Sequence, residues 1–297
     1  MKNDFRSGFV TVVGRPNVGK STLINQLIGE KVLIMSDKPQ TTRNKIKAVY
    51  TDDKAQIIFI DTPGIHKGKN KLSKFMSSEI SEAMQEMDTL VFMTDGKNKL
   101  GPGDKYIIDL IKGIKTPKIA LINKSDIYKD NEAVEIELEE MGIFDSVIRI
   151  SATSGKNLEQ VKNFIKDQLP EGPLYFPEDY MTDRPEWFVI SEIIREKSMQ
   201  LLHDEIPHGI GILIEKIEKR SNKEMIDVYG VILCEKKTHK GMIIGKSGMK
   251  LQEIGKRSRQ DIERLLGSKV YLNLWVKVSE NWRDNEKMLR ELGYKSW

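Results

Sequence analysis

A glycine-rich loop near the amino terminus constrains the fold more than any other feature of this sequence. The residues from Gly14 to Ser21 read GRPNVGKS, between an apolar run at 9–13 and an apolar segment at 22–24. A strand, a glycine loop and a helix in this order form a phosphate cradle, because loop N–H groups and the positive helix end converge. The predicted nucleotide contacts are Gly14, Arg15, Pro16, Asn17, Val18, Gly19, Lys20, Ser21 and Thr22.

The loop and a second motif predict a metal site beside the phosphates. Lys20 is expected to reach the β- and γ-phosphates, and the Ser21 hydroxyl to bind Mg²⁺. Asp61 ends the apolar strand pattern 56–60 and is a predicted Mg²⁺ ligand, while the Gly64 N–H is expected to meet the γ-phosphate. The predicted contacts in this motif are Asp61, Thr62, Pro63 and Gly64.

A polar stretch at 36–44 contains two adjacent threonines. Either Thr41 or Thr42 could bind Mg²⁺ when the γ-phosphate is present, and we favour Thr42 as the third ligand. Position 65 is isoleucine, where Ras-like proteins have a water-orienting glutamine. His66 is a candidate base, although a histidine in a mobile loop is more often a bystander.

Two further motifs indicate which base is bound. Residues 123–126 read NKSD after the apolar strand pattern 118–122. The Asp126 carboxylate can accept two hydrogen bonds from guanine N1–H and N2–H₂, which adenine does not offer, so Asn123, Lys124 and Asp126 are predicted guanine contacts. Ser151 and Ala152 follow another strand pattern, where the Ala152 N–H could meet guanine O6; an ordinary β-to-α loop explains that segment equally well.

These five elements, in this order and spacing, resemble the translation-factor-like branch of the small GTPases. The resemblance implies GTP hydrolysis to GDP, with switch loops that order around the γ-phosphate and Mg²⁺. Without the glutamine, slow basal hydrolysis is implied, with Asn17, Lys20, Thr42 and Gly64 as its predicted catalytic residues. Several such relatives coordinate K⁺ through an asparagine at the position of Asn17, which makes K⁺ activation a hypothesis here. A metabolic ATPase is a more distant reading, opposed by Asp126.

Length and composition suggest two domains and a cytosolic protein. The chain has 297 residues, of which 39% are hydrophobic and 31% charged. Its single cysteine, Cys234, argues against a disulfide framework. No apolar run is long enough to cross a membrane, and the first residues lack a signal-peptide pattern.

Four prolines between 170 and 185 predict a boundary, because proline does not continue a helix. We expect a first domain at 1–172, a linker at 173–185 and a second domain at 186–297. Residues 184–297 hold 22 basic and 17 acidic residues, so the excess positive charge belongs to the second domain.

Within that second domain, residues 236–259 carry eight basic residues and one acidic residue, Glu253, which is an electrostatic footprint for a phosphate backbone. The stripe contains Gly245 and Gly248 in a GxxG turn between two helical patterns, where a nucleic-acid backbone can approach the main chain. A simple helix-turn-helix corner is the alternative for GxxG alone. The predicted RNA contacts are Lys240, Ile243, Ile244, Gly245, Lys246, Ser247, Gly248 and Lys250.

The element order around the turn favours the RNA interpretation. We predict a helix at 187–204, strands at 211–218 and 225–234, two helices around GxxG, and a strand at 269–278. This α-β-β-α-α-β order resembles the prokaryotic, type II KH domain. The predicted fold class is therefore an α/β P-loop GTPase domain, with a mostly parallel sheet and flanking helices, followed by a smaller α+β type II KH domain.

One GTPase domain followed by one KH domain resembles the Era family over essentially the whole chain. The QTTR sequence at 40–43 and the LRELGY ending at 289–294 add to the match. The resemblance implies a bacterial ribosome-assembly GTPase whose KH domain binds the 3′ end of small-subunit (16S) rRNA and assists the 30S subunit. It also implies loose association with the inner membrane, which a helical pattern at 281–292 could serve. No DNA partner is expected, and a monomer is the default.

Two kinds of function remain open at this point. In the first, nucleotide state and RNA binding are coupled, and the protein is a switch. In the second, the KH domain only tethers a GTPase whose output is a protein partner or membrane and cell-cycle signalling.

Overall fold

A computed structural model describes residues 5–36, 38, 41–64, 70–95, 97, 99–128, 132–221 and 224–294. The chain divides into two compact units. The first comprises Met1–Gly68 and Met76–Asp183, and the second comprises Lys69–Phe75 and Arg184–Trp297. Each unit has an apolar core of its own.

Apart from a hairpin of two strands at 46–61, the segment from 6 to 168 alternates strands and helices, as the predicted α/β class requires. Its elements are β1 (Arg6–Gly14), α1 (Lys20–Ile28), β2 (Ile46–Thr51), β3 (Ala55–Asp61), α2 (Lys71–Ala83), β4 (Thr89–Thr94), α3 (Pro102–Ile111), β5 (Lys118–Ile122), α4 (Glu132–Glu140), β6 (Ser146–Arg149) and α5 (Leu158–Gln168). Within the described residues, six strands form one sheet in the order β2-β3-β1-β4-β5-β6, in which β2 alone runs antiparallel to its neighbour.

The parallel arrangement gathers the sequence motifs at one edge of this sheet. Strands β3, β4 and β5 are buried along their whole length, which explains their nearly continuous apolar sequences. The glycine loop follows β1, DTPG follows β3, NKSD follows β5 and Ser151 follows β6, all at carboxyl ends of parallel strands. Ligands of open α/β sheets bind at that edge.

The turn between β2 and β3 is held by the carboxylate of Asp52. Its Oδ1 accepts hydrogen bonds from the N–H groups of Lys54 and Ala55 at 3.0 and 2.9 Å. Its Oδ2 accepts one from the Tyr50 hydroxyl at 2.9 Å and pairs with Lys166 of α5. Burial alone would raise the pKa of Asp52, but Lys166 and the other donors outweigh burial and lower it to about 2. Asp52 therefore ties the hairpin to α5.

We expect Asp52→Asn to lower the free energy of unfolding at pH 7 by about 1–2 kcal/mol, since the side chain is partly screened by water. The folded pKa lies below the ordinary value of 3.8, so this stabilisation is complete above that value and is lost as the pH falls through 2. Urea unfolding of wild type and variant should therefore show a difference that narrows below pH 4. The exposed neighbour Asp53 gives the matched control, Asp53→Asn. A difference that does not vary with pH would contradict this account.

The proline-rich segment after α5 is hydrogen-bonded to the first unit. The Ser7 hydroxyl donates to the Pro173 carbonyl at 2.6 Å. The Gln56 side chain donates to the Phe176 carbonyl at 2.9 Å and accepts from the N–H groups of Tyr175 and Phe176 at 2.8 and 3.0 Å. The segment thus follows the sheet before the second unit begins.

The second unit has the element order that the sequence predicts. Its elements are α6 (Glu186–Leu201), β7 (Gly211–Lys219), β8 (Met225–Cys234), α7 (Lys237–Ile244), α8 (Met249–Leu266), β9 (Lys269–Val278) and α9 (Glu286–Glu291). Its described strands form a sheet in the order β7-β8-β9, with β7 antiparallel and β9 parallel to β8. Apolar residues of α6, α7 and α8 pack with alternate residues of this sheet.

The predicted terminal helix at 281–292 is wrong as a continuous helix. Asn281 has a φ of 53°, and a single 3-10 turn follows it at 282–284. Asn285 has an extended backbone, and its side chain accepts the Met288 N–H, so it caps a new six-residue helix, α9. Trp282 is fully buried and donates from Nε1 to the Gly209 carbonyl at 2.9 Å. In the part of the chain that the structure describes, no helix is both long and apolar enough to cross a membrane.

Candidate nucleotide and RNA sites

The glycine loop has a backbone that tolerates few side chains. Gly19 has a φ of 107°, and a Cβ there would lie 2.4 Å from Asn123 Nδ2. A Cβ at Gly14 would lie 2.4 Å from the Met93 carbonyl oxygen. Helix α1 begins at Lys20, so Ser21 and Thr22 lie in its first turn, where N–H groups have no partner within the helix. The loop and the helix end together form the predicted cradle.

Lys20 is buried in this cradle. Its Nζ donates to the carbonyl oxygens of Gly14 and Arg15, both at 3.2 Å. Burial lowers the pKa of Lys20 to about 8, although nearby Asp61 opposes the shift. A buried ammonium that donates to two carbonyl oxygens near one carboxylate is suited to bind phosphate oxygens.

The three predicted metal ligands lie together. The hydroxyls of Ser21 and Thr42 donate to Asp61 Oδ2 at 2.7 and 3.0 Å, and the two hydroxyl oxygens are 3.2 Å apart. Asp61 Oδ1 is buried and lacks a hydrogen-bond partner among the described residues. Burial raises the pKa of Asp61 above its ordinary value, opposed by Lys20 and the two hydroxyls. Three hard oxygen donors with one unsatisfied carboxylate oxygen fit Mg²⁺.

The two adjacent threonines have different surroundings. The Thr41 hydroxyl donates to the Lys38 carbonyl at 2.6 Å, away from the carboxylate that Thr42 contacts. The geometry therefore favours Thr42 over Thr41 as a metal ligand. Gln40, Ile65 and His66, which also entered the sequence interpretation, lie outside the described residues.

The DTPG segment packs directly on the glycine loop. A Cβ at Gly64 would lie 2.8 Å from Pro16 Cγ and 2.9 Å from the Pro16 N and Cα atoms. Thr62 is buried and donates from its hydroxyl to the Val12 carbonyl at 2.8 Å, which fixes the segment that leads to Pro63. Gly64 is therefore close to the loop because it has no side chain.

We expect Gly64→Ala to reduce single-turnover GTP hydrolysis by about 10- to 100-fold, because the added methyl group displaces either the Gly64 N–H or the loop. The matched control is Gly113→Ala, since a Cβ at Gly113 meets no atom within 4 Å. Hydrolysis by Gly64→Ala at the wild-type rate would show that the close packing of Gly64 on Pro16 is not needed for hydrolysis.

Asn123 joins the base-reading segments to the glycine loop. It is buried, its Nδ2 donates to the Val18 carbonyl at 2.8 Å, and its Oδ1 accepts the Ala152 N–H at 2.9 Å. Lys124 Nζ donates to the Asn17 carbonyl at 3.0 Å. The structure thus brings the loop, NKSD and the segment after β6 to one place.

Two predicted guanine contacts differ in their surroundings. The Asp126 side chain is exposed at the sheet edge, where a ligand can reach it. The Ala152 N–H, in contrast, already donates to Asn123, and Ser151 beside it is fully buried. A contact from Ala152 to guanine O6 stays a prediction. For this contact, the Ala152 N–H must either leave Asn123 Oδ1 or donate to both oxygens.

The Arg15 side chain anchors the loop to two neighbouring segments. Its guanidinium pairs with Asp104 of α3 at 2.8 Å and with Asp95, after β4, at 2.7 Å. Burial lowers the pKa of Arg15, but the two carboxylates outweigh it and the net pKa is raised. Neither aspartate belongs to a recognisable motif, so sequence reasoning missed both.

The GxxG turn in the second unit has an unusual backbone. Gly245, Ser247 and Gly248 have φ values of 75°, 50° and 79°. A Cβ at Gly245 would lie 2.7 Å from Lys250 Cβ, whereas one at Gly248 meets nothing within 4 Å. Lys246 and Ser247 are exposed, so the turn presents a charge and a hydroxyl beside an open backbone.

One predicted RNA contact is wrong. Ile243 is fully buried in the core of the second unit, so it supports the turn by packing. Ile244 is partly buried, whereas Lys240 is exposed and remains available to a ligand.

A groove of about 750 Å³ opens beside the turn, between α8 and β9. Leu251, Leu272 and Leu274 give it apolar walls, and Lys256 and Arg259 of α8 line it as well. This composition suits unstacked bases with a phosphate backbone alongside. Gln252 and Asn273 also line the groove. The Gln252 amide could read base edges, whereas Asn273 occupies an outward position of β9. The sequence interpretation did not single out these two, because strand and helix meet only in the fold.

Comparisons with known proteins identify the family of each unit. Residues 9–124 match the family model described as a 50S ribosome-binding GTPase, and residues 205–283 match a KH domain. Proteins named GTPase Era from Alkaliphilus oremlandii and Clostridioides difficile are each 53% identical, with 98% of this chain and 99% of the relative covered. The chain belongs to the Era family of GTPases. The predicted family and the predicted order of GTPase and KH domains are confirmed.

Two solved Era structures match this Era chain over 98% of its length and all of their own, at 39% identity. Era in complex with MgGDPNP and nucleotides 1506–1542 of 16S ribosomal RNA has a TM-score of 0.95. A single-residue variant of Era from Aquifex aeolicus, bound to GDP·AlF₄⁻, has a TM-score of 0.94.

Proposed function

We propose that this chain hydrolyses GTP and uses its nucleotide state to control binding of the 3′ end of 16S rRNA, in support of 30S subunit assembly. The observation that carries the proposal is the solved Era relative, which binds MgGDPNP and 16S rRNA nucleotides 1506–1542 and matches almost the whole chain. The cradle and the groove give each ligand a place with suitable chemistry.

The residues of the cradle have separable roles in this proposal. Loop and helix N–H groups bind the phosphates, and Lys20 adds positive charge at the β- and γ-phosphates. Ser21, Thr42 and Asp61 would hold Mg²⁺, which supplies charge neutralisation at the phosphate oxygens. Asp126 selects guanine, while Asn123 holds the base-reading segment against the loop.

Hydrolysis depends on groups that meet the γ-phosphate. Gly64 would donate its N–H there, and Thr42 would order its segment around the same phosphate. With isoleucine at position 65, no glutamine directly after DTPG orients the attacking water. Slow basal hydrolysis follows from that substitution.

The proposed K⁺ activation assigns a further role to Asn17. Its φ of 65° places it at a turn of the loop. If Asn17 helps to hold K⁺ where an arginine finger would stand, turnover in K⁺ buffer should exceed turnover in Na⁺ buffer by at least about tenfold. Asn17→Ala should remove that difference. Equal turnover of the wild type in both buffers would dismiss the hypothesis.

We place the protein in the cytoplasm, where its proposed ribosomal partner is. Peripheral association with the cell membrane and a monomeric state stay predictions of the family resemblance. A long terminal helix does not support the membrane association, because the described part of the terminal segment contains only the short α-helix α9.

The test of the RNA assignment is binding of the full-length protein to separate ribosomal RNAs. The 3′-terminal segment of 16S rRNA should bind more tightly than a length-matched segment of large-subunit rRNA. The large-subunit control is needed because the family model that matches the GTPase domain is described as a 50S ribosome-binding GTPase. Equal binding of both segments at each salt concentration would indicate a non-specific electrostatic interaction instead.

A further inference from the structure

The outward face of β9 carries exposed aromatic rings. Even-numbered residues of β9, such as Val270 and Val276, pack into the core, so odd-numbered residues face the other way. All five of these are exposed: Lys269, Tyr271, Asn273, Trp275 and Lys277. Tyr271 is 47% and Trp275 36% exposed. Two large rings on one face of an open strand could stack on a planar ligand.

A third ring lies on the neighbouring strand. Tyr229 of β8 is paired in register with Asn273, which lies midway between Tyr271 and Trp275. Tyr229 is half-buried and shares the outward face. With a rise of about 3.3 Å per residue and about 4.8 Å between strands, successive rings are attached roughly 8 Å apart. Three aromatic side chains therefore form a row across the two strands.

Charges around this row favour a phosphate-bearing ligand over an apolar protein. Lys269 and Lys277 lie at the two ends of β9, and the Lys269 side chain is 76% exposed. The Arg220 guanidinium lies 5.4 Å from the centre of the Tyr271 ring. Arg220 pairs with Asp227 at 2.8 Å and Lys269 lies 4.0 Å from Glu263, so these two carboxylates are compensated by cations.

The position of β9 connects this face with the groove. In the sheet order β7-β8-β9, β9 is an edge strand of the second unit. Its inward residues Leu272 and Leu274 line the groove, and Asn273 between them lines it as well. A strand of RNA that leaves the groove past this edge meets the outward rings next.

We propose that Tyr271, Tyr229 and Trp275 form a second subsite for single-stranded RNA, which continues the segment bound in the groove. The rings stack on successive unpaired bases, and Lys269 and Lys277 contact the backbone. Stacking is tolerant of sequence, because every base has a π face. The subsite thus increases the affinity for RNAs long enough to reach it, whereas the groove selects the bases. This proposal rests on the RNA-binding function proposed above.

The test compares two RNAs on the full-length protein. Tyr271→Thr/Trp275→Thr removes both exposed rings and keeps residues that favour strands. A segment of about 5 nucleotides fills the groove alone, and one of about 15 nucleotides reaches the rings as well. The variant should bind the longer RNA about 10- to 100-fold more weakly and the shorter RNA as wild type does. The matched control is Tyr106→Thr, at a similarly exposed tyrosine on α3.

A second readout follows the stacked ring itself. Bound long RNA should quench tryptophan fluorescence, and Trp275→Phe should remove most of that quenching while it keeps the affinity, since phenylalanine also stacks. The short RNA should give little quenching.

The remaining outcomes overturn the proposal in distinguishable ways. Wild-type affinity of the threonine double variant for the long RNA would remove the subsite and leave the groove function intact. Equal loss for both lengths would show that the rings support the groove and do not form a separate subsite, which contradicts the proposal. If the wild type binds neither RNA, the proposed function fails together with the subsite.

Discussion

Asp126→Asn should weaken GTP binding by about a thousandfold and improve binding of xanthosine triphosphate. In the proposed site, the Asp126 carboxylate accepts hydrogen bonds from both N–H groups of guanine. An asparagine amide would place its own N–H₂ donor against one of these N–H groups. Xanthine has a carbonyl where guanine has an amino group, so the amide can donate there. Competition binding with both nucleotides measures the change in preference.

Because Asp126 is exposed, the substitution should leave the hydrogen bonds of the buried Asn123 side chain in place. A change in binding can therefore be assigned to base recognition. Asp109→Asn on α3 is the control for loss of one exposed carboxylate in the same unit. An unchanged ratio of the two affinities in Asp126→Asn would show that the base is read elsewhere.

Lys246→Asp/Ser247→Asp should lower affinity for the 16S rRNA segment by about 100-fold or more at moderate salt, with GTP affinity unchanged. Both side chains are exposed in the GxxG turn, so the fold should tolerate the change. The two new carboxylates would repel the phosphate backbone at the point where it approaches the open glycines. The salt dependence of binding should also become less steep, since a phosphate contact is lost.

Lys287→Asp is the control for reversal of one exposed positive charge, because Lys287 is exposed on α9, outside the turn. That variant should bind RNA within a few-fold of wild type. If both variants lose affinity equally, net charge rather than the turn determines binding.

Local sequence patterns predicted the parts of the fold that depend on neighbouring residues. The apolar runs that form β5, β8 and β9 are bounded by polar or turn residues, and their observed ends coincide with the predicted ones. The glycine loop is equally local, because its strand, turn and helix are continuous in the chain.

Contacts between distant segments were beyond the reach of such patterns. The ion pairs of Arg15 with Asp95 and Asp104 join residues 80 and 89 positions apart. The groove requires β9 to lie beside α8. The error at the carboxyl end has a different cause. The apolar spacing there suits a helix, but Asn285 bonds its own neighbouring backbone through its side chain and starts a new helix.

The coupling between nucleotide and RNA is tested most directly by RNA affinity in two nucleotide states. The full-length protein is saturated with a non-hydrolysable GTP analogue or with GDP, and the dissociation constant for the 16S rRNA segment is measured in each. A switch predicts affinities that differ by about 5- to 150-fold, and RNA must then change the relative nucleotide affinities by the same factor. Equal RNA affinity in both states would contradict the switch and leave a GTPase that the KH domain merely tethers.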